Sequence, residues 1–184
     1  MLILVLVVIF VLVLGVLAIT QFNRLRRLDV EAQGALAGID TLLTKRADLV
    51  PNLVATVSGA ADFERGTIEA VTNARVLGQT ASSVPQTAAA DTEMSQALGR
   101  LFAVAESYPQ LTATAGFRDL QGQLTSVEGE LQFARQYYND SVVRLNTALR
   151  TVPSMWFAGM AGVHERELYS VPDPGQRSVP TVQF

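Results

Sequence analysis

The chain has 184 residues, 14 basic and 17 acidic side chains, a single histidine and no cysteine. That composition excludes disulfides, thiolate metal ligation, thiol redox chemistry and a lipoprotein anchor, and a pI near 5.1 leaves no electrostatic footprint for nucleic acid. Aromatic residues make up only 7% of the chain while Ala, Leu, Val, Gln and Thr abound, a mixture that suits helices better than sheets.

The first 19 residues, MLILVLVVIFVLVLGVLAI, carry no charged or strongly polar side chain. A helix of that length rises about 28 Å, close to the ~30 Å hydrocarbon core of a bilayer. No Lys or Arg precedes the run, so the positive n-region of a secretory signal is missing, although Val16 and Ala18 imitate a cleavage site. The basic residues Arg24, Arg26 and Arg27 follow the run instead, which by the positive-inside rule puts Met1 outside and the downstream domain in the cytoplasm. The expected division is an anchor over 1–20, a helical bundle over 21–164 and a Pro-rich tail over 165–184. About 160 residues beyond the anchor suffice for one domain with its own core.

Beyond the anchor, Leu25, Leu28, Ala32, Ala35, Ile39, Leu42, Arg46, Leu49 and Leu53 step by three and four, an a/d seam of coiled-coil type with one charged member. No proline stands between Met1 and Val50, so anchor and first soluble helix are expected to be one continuous helix, weakened at Gly34 and Gly38. Pro51 removes a hydrogen bond to the Ala47 carbonyl and should kink or end that helix. The pattern resumes through Val54, Val57, Ala61, Ile68, Val71 and Ala74, then breaks between Gly78 and Pro85. A shorter helix fits Ala88 to Ser107, with Met94, Leu98, Leu101 and Ala105 on one face. Pro109 stands at or just before the next element. The longest seam runs through Phe117, Leu120, Leu124, Val127, Leu131, Ala134, Tyr138, Val142, Leu145, Leu149 and Val152, and Pro153 ends or kinks it. One more helical piece fits Ser154 to Val163, and VPDPGQRSVPTVQF reads as extended or irregular. Such elements, with no convincing strand, bury their single apolar stripes best as an all-α, antiparallel, roughly four-helix bundle.

At 100° per residue, Arg135, Asn139 and Asn146 fall within about 20° of Glu128, along the edge of the apolar arc of the long helix. A carboxylate, a guanidinium and two amides so aligned can fix helix register, and Arg46 is a natural partner for an acid on a facing helix. The functional alternative is a polar groove for a partner or a lipid. No motif for catalysis stands out. His164 has no second histidine to share a metal with, HERELY lacks HExxH spacing, ExxH pairs are absent, and the glycines are too dispersed to cradle phosphate. Pairs such as Glu64 and Glu69, or Glu128 and Glu130, read as helix-surface charges. Neither an enzyme activity nor a cofactor is therefore expected.

Two stretches, KRADLVPNLVATVSGAADFERGTIEAVTNAR and YPQLTATAGFRDLQGQLTSVEGELQFARQYYNDSVVRLNTALRTVPSMWFA, resemble the signature of the LemA family. The order of elements is also similar, over about 22–158, with a looser echo in VPTVQF. The resemblance implies a bacterial, single-pass inner-membrane protein with a helical bundle, its C-terminus inside, and no enzyme activity. Matching positions are Arg46, Asp48, Pro51, Asn52, Glu64, Arg75, Pro109, Phe117, Leu120, Gln121, Glu128, Arg135, Tyr138, Asn139, Asn146 and Pro153, several of which coincide with the proline and polar stripe above. Leu145, Val152, Gly162-Val163 and Leu168-Tyr169 depart from the family's aromatic positions and thin the packing on which docking of the tail would depend.

The function expected on these grounds is a membrane-anchored scaffold or adaptor, with the bilayer met through residues 1–20 and a protein partner or a second copy of the chain bound by the bundle. The alternative is a relay of envelope stress or membrane state through the continuous first helix. The structural or interaction candidates are Arg46, Asp48, Pro51, Glu64, Arg75, Glu128, Arg135, Asn139 and Asn146.

Overall fold

A computed structural model describes residues 1–59 and 64–170. Among the described residues the chain is all-α, with no strand. Six helical elements carry labels here: α1 (Leu2–Ser58), α2 (Arg65–Thr80), α3 (Val84–Ala105), α4 (Pro109–Thr112), α5 (Ala115–Arg150) and α6 (Ala158–Ala161), the last preceded by a 3-10 turn at Ser154–Phe157. The sequence VPDPGQRSVPTVQF and the seam position Ala61 lie outside the described residues.

Pro51 neither ends nor replaces α1, which runs on to Ser58. The expected break between Gly78 and Pro85 is narrower than its composition suggests. α2 reaches Thr80, and Ser83 caps α3 by accepting from the Gln86 N–H, with Pro85 in the first turn, where its missing N–H costs nothing. Pro109 opens α4, a single turn, and α5 follows at Ala115. Gly162, at φ 63°, takes the left-handed conformation that ends α6. His164 to Ser170 then continue without regular structure.

The described residues form two compact units, 1–39 with 134–168, and a second drawn from 40–133 and the chain from Tyr169. In the first, Glu31 of α1 bonds Tyr137 and Arg144 of α5 while Gln21 bonds Ser154 beyond the end of α5, so the two helices run antiparallel there. Leu25, Ala32, Ile39, Tyr138, Val142 and Leu145 are buried in this unit. In the second, four helical stretches from α1, α2, α3 and α5 enclose one core, with Leu53, Val57, Val71, Leu98, Leu101 and Phe117 at its centre. Phe102 and Phe117 meet edge to face, centroids 6.1 Å apart. Most of the stepped residues are buried, among them Met94, Leu98, Leu101 and Ala105 on α3 and Phe117, Leu124, Val127, Leu131, Tyr138, Val142 and Leu145 on α5, whereas Leu28, Leu42, Leu49, Val54, Ile68, Leu120, Ala134 and Leu149 are half-buried and Val152 is exposed. Leu2–Leu14 are exposed throughout, and α1 is long and apolar enough at this end to cross a membrane.

Candidate functional site: a buried arginine node and a pinned return segment

In the second unit, Arg46 is 2% exposed. Its position in an apolar seam forces its guanidinium inward, where a bare charge would cost several kcal/mol. Two acids and a hydroxyl meet it. Nη2 bonds and pairs with the Asp91 carboxylate, whose side chain is only 1% exposed. Nη1 donates to Glu128 Oε2 at 2.7 Å and to Ser95 Oγ at 3.1 Å. Ser95 Oγ in turn donates to Glu128 at 3.4 Å. The second Asp91 oxygen accepts the Tyr169 hydroxyl at 2.8 Å, and Tyr169 is itself buried. The node thus ties α1, α3 and α5 to the chain beyond α6. Glu128, 43% exposed, stands at the wet end of the node.

Close by on α1, the lost hydrogen bond at Pro51 has a substitute. The Ala47 carbonyl, which an N–H at position 51 would satisfy, accepts Arg75 Nε at 3.0 Å. Arg75 therefore bridges α2 to α1 where the proline leaves an α1 carbonyl without its own N–H, which explains how the helix passes the proline. Glu64 accepts the Thr67 hydroxyl at 3.2 Å, and its carbonyl receives the Thr67 and Ile68 N–H groups at the start of α2. Asp48 is exposed and joins neither arrangement.

The stripe on α5 divides between the units. Glu128 serves the arginine node. In the first unit, Asn146 forms a two-way clamp on backbone: Nδ2 donates to the Arg166 carbonyl at 2.9 Å and Oδ1 accepts the Arg166 N–H at 3.0 Å. The Tyr138 hydroxyl donates to the Glu167 carbonyl at 2.9 Å. Burial pushes its pKa above the ordinary value near 10, Arg166 works against that and Glu167 adds to it. Arg166 also pairs with Asp29 of α1 at 2.9 Å, and Arg150 holds Glu165 through two bonds of 2.7 and 2.6 Å. Arg135 and Asn139 are half-buried, and neither lacks a partner. The stripe is therefore two devices, one closing a charged node and one pinning an extended segment.

Sequence reasoning missed Asp91, Ser95 and Tyr169. Asp91 had a signal: stepping back three from Met94 along the α3 face lands on it, an acid in an apolar seam to match the lone arginine in the other. Tyr169, one of the positions that depart from the family's aromatics, is buried and bonds Asp91. Among the described residues every buried side-chain polar atom has a partner. A cleft of about 690 Å³ elsewhere in the second unit is lined by Thr56, Tyr108, Gln110, Leu111 and their neighbours, with no charged group among the described residues.

Fold and site together define an all-helical protein held by buried polar pairing, with an exposed apolar helix at its N-terminus. The sequence model of the LemA family matches residues 35–184. The chain belongs to the LemA family. No curated protein matches it.

Proposed function

We propose that the protein is a membrane-anchored, non-catalytic scaffold or adaptor, held in the bilayer by residues 1–20 and binding a protein partner or further copies of itself through its helical domain. The observation that carries this reading is α1 itself, a single helix whose first turns are wholly exposed and apolar and whose later turns supply Arg46 and the core residues Val50, Leu53 and Val57. A membrane span and a domain scaffold share one element. The Arg46 node serves the scaffold by joining its helices: Asp91, Glu128 and Ser95 bond Arg46, and Tyr169 bonds Asp91.

Arg24, Arg26 and Arg27, all exposed just after the apolar run, favour a bacterial inner-membrane topology with the domain in the cytoplasm. The unbroken α1 favours, as a second reading, relay of a membrane state to the partner. Crosslinking in intact membranes, with a tag at Phe184 and protease added from outside, tests both topology and assembly. The expected result is a protease-protected tag and a crosslinked species heavier than one chain. A digested tag overturns the topology, and a lone uncrosslinked chain overturns the scaffold. Inserting four alanines after Arg27 turns the helix by about 40°; an intact cellular phenotype in that variant rules out relay.

A further inference from the structure

The first unit carries a patch that neither its core nor the arginine node uses. Met155, Trp156 and Met160 are 45%, 68% and 74% exposed, and Val152 beside them 62%. They lie on the 3-10 turn and α6, a segment of two short pieces that exposes more large apolar surface than its length requires. Its level along α1 is set by one bond: the buried Ser154 donates to Gln21 Oε1 at 2.8 Å. Gln21 stands two residues past Ile19, the last residue of the apolar run, or about 3 Å of helix rise. The patch is thus held beside α1 where the apolar run ends. The exposed Arg24, Arg26 and Arg27 begin within the next turn.

We infer that the turn formed by Val152, Met155, Trp156 and Met160 is a second membrane contact, seated in the water–lipid interface of the bilayer that α1 crosses. The inference rests on the anchor reading of α1. Its chemistry is that of interfacial anchors: an indole combines a broad apolar face with one N–H donor and prefers the headgroup level. Flexible Met side chains fill irregular acyl packing. The three arginines next along α1 are placed to meet lipid phosphates. A lipid interface suits this patch better than a protein partner because its height coincides with the end of the apolar run, a coincidence that a protein-binding patch has no reason to show.

Trp156 is the only tryptophan of the chain, so its emission reports this turn alone. The full chain is reconstituted in vesicles of phosphatidylcholine and phosphatidylglycerol, and flotation is measured beside fluorescence. The expected result is flotation, a blue-shifted emission, loss of most of that emission with lipids brominated high on the acyl chain, and little loss with aqueous iodide. Flotation with an iodide-quenched, lipid-insensitive Trp156 overturns the interfacial contact and leaves the anchor standing. Emission shielded from both quenchers also overturns it and points to a protein covering the patch. Failure to float defeats the anchor and the contact together. A Tyr137→Trp, Trp156→Phe variant supplies the comparison. Tyr137 is exposed and bonds Glu31, twelve residues beyond Ile19 or about 18 Å along α1, so a tryptophan there should be quenched by iodide in the same vesicles. Equal lipid quenching at both positions would remove the depth argument and overturn the inference.

Discussion

The Arg46 node and the Asn146 clamp both begin from a polar residue at the margin of an apolar seam, and they solve opposite problems. Arg46 is a charge placed where water cannot reach it, so its partners must be charges too, and Asp91 is buried to the same degree. Asn146 is neutral and half-buried, and its partners are the N–H and C=O of a single residue, Arg166. Of the charges around the clamp, the Arg150 and Glu165 side chains stay wet, 70% and 47% exposed, while the Arg166–Asp29 pair is partly covered. A buried ion pair ties specific side chains together and fails badly when one is lost. An amide on backbone holds a segment whatever its side chains are, and fails locally. The difference teaches that a polar residue at the margin of a seam takes its role from what faces it.

The largest expected effect follows from the node. Arg46→Ala leaves Asp91 buried without its cation and should cost about 3–5 kcal/mol in urea unfolding of the chain in detergent. Asp91→Ala should cost a similar amount for the converse reason. Replacing the buried part of the group, with Arg46→Met, Asp91→Leu and Tyr169→Phe together while the half-exposed Glu128 stays in reach of water, should recover most of that loss, since packed apolar side chains substitute well for a buried pair. If the triple variant is as unstable as Arg46→Ala, the node is holding something other than itself.

Asn146→Ala should act locally. It strands the N–H and C=O of Arg166, at a cost of about 1–3 kcal/mol, and the loss should concentrate in hydrogen exchange of residues 163–168. Uniform loss of protection across the chain would mean that the clamp is part of the global core and would erase the contrast with Arg46.

How far the two devices were legible in the sequence follows the same division. The seams were readable because three-and-four stepping is written in residue type, and the residues so marked on α3, with most of those on α5, proved buried. Arg46 stood out as a charge in a seam. Asp91 did not, because it follows a run of alanines whose period is unclear, although the step back from Met94 reaches it. The clamp was hidden for a deeper reason. Its partners on Arg166 and Glu167 are backbone groups, which every residue possesses, so no side chain announces them. Tyr169 reaches Asp91 across 78 residues from a segment with no period at all. The boundary between α1 and α2 was also obscure: apolar stepping continued from Val54 to Ala74, whereas α1 stops at Ser58 and α2 starts at Arg65.

Arg75 offers a way to sharpen the comparison, because here a charged side chain serves a backbone group. Arg75→Ala should cost about 1–2 kcal/mol by leaving the Ala47 carbonyl unpaired beside the proline. Pro51→Ala supplies the missing N–H from within α1. In that background Arg75→Ala should cost distinctly less, and a double-mutant cycle by urea unfolding measures the difference. Equal costs in both backgrounds would show that Arg75 acts through packing rather than through the carbonyl.

The smallest effect belongs to the wet charges beside the clamp. The side-chain bond to Arg150 holds the Glu165 carboxyl below its ordinary value of 4.5; Arg150's charge adds to this, and the slight desolvation of the pair opposes it. A depressed folded-state pKa stabilises only where the unfolded chain is already ionised. The contribution is therefore present above about pH 4.5 and disappears as pH falls through the lower folded value. Both side chains are solvated, so salt should screen the pair as well. The midpoint difference between the native chain and Glu165→Gln should be small at neutral pH, shrink toward zero on acidification and shrink again in high salt. A difference that persists in acid would have to come from the packing of residue 165, and the return segment would then be held by more than backbone bonds and exposed charge.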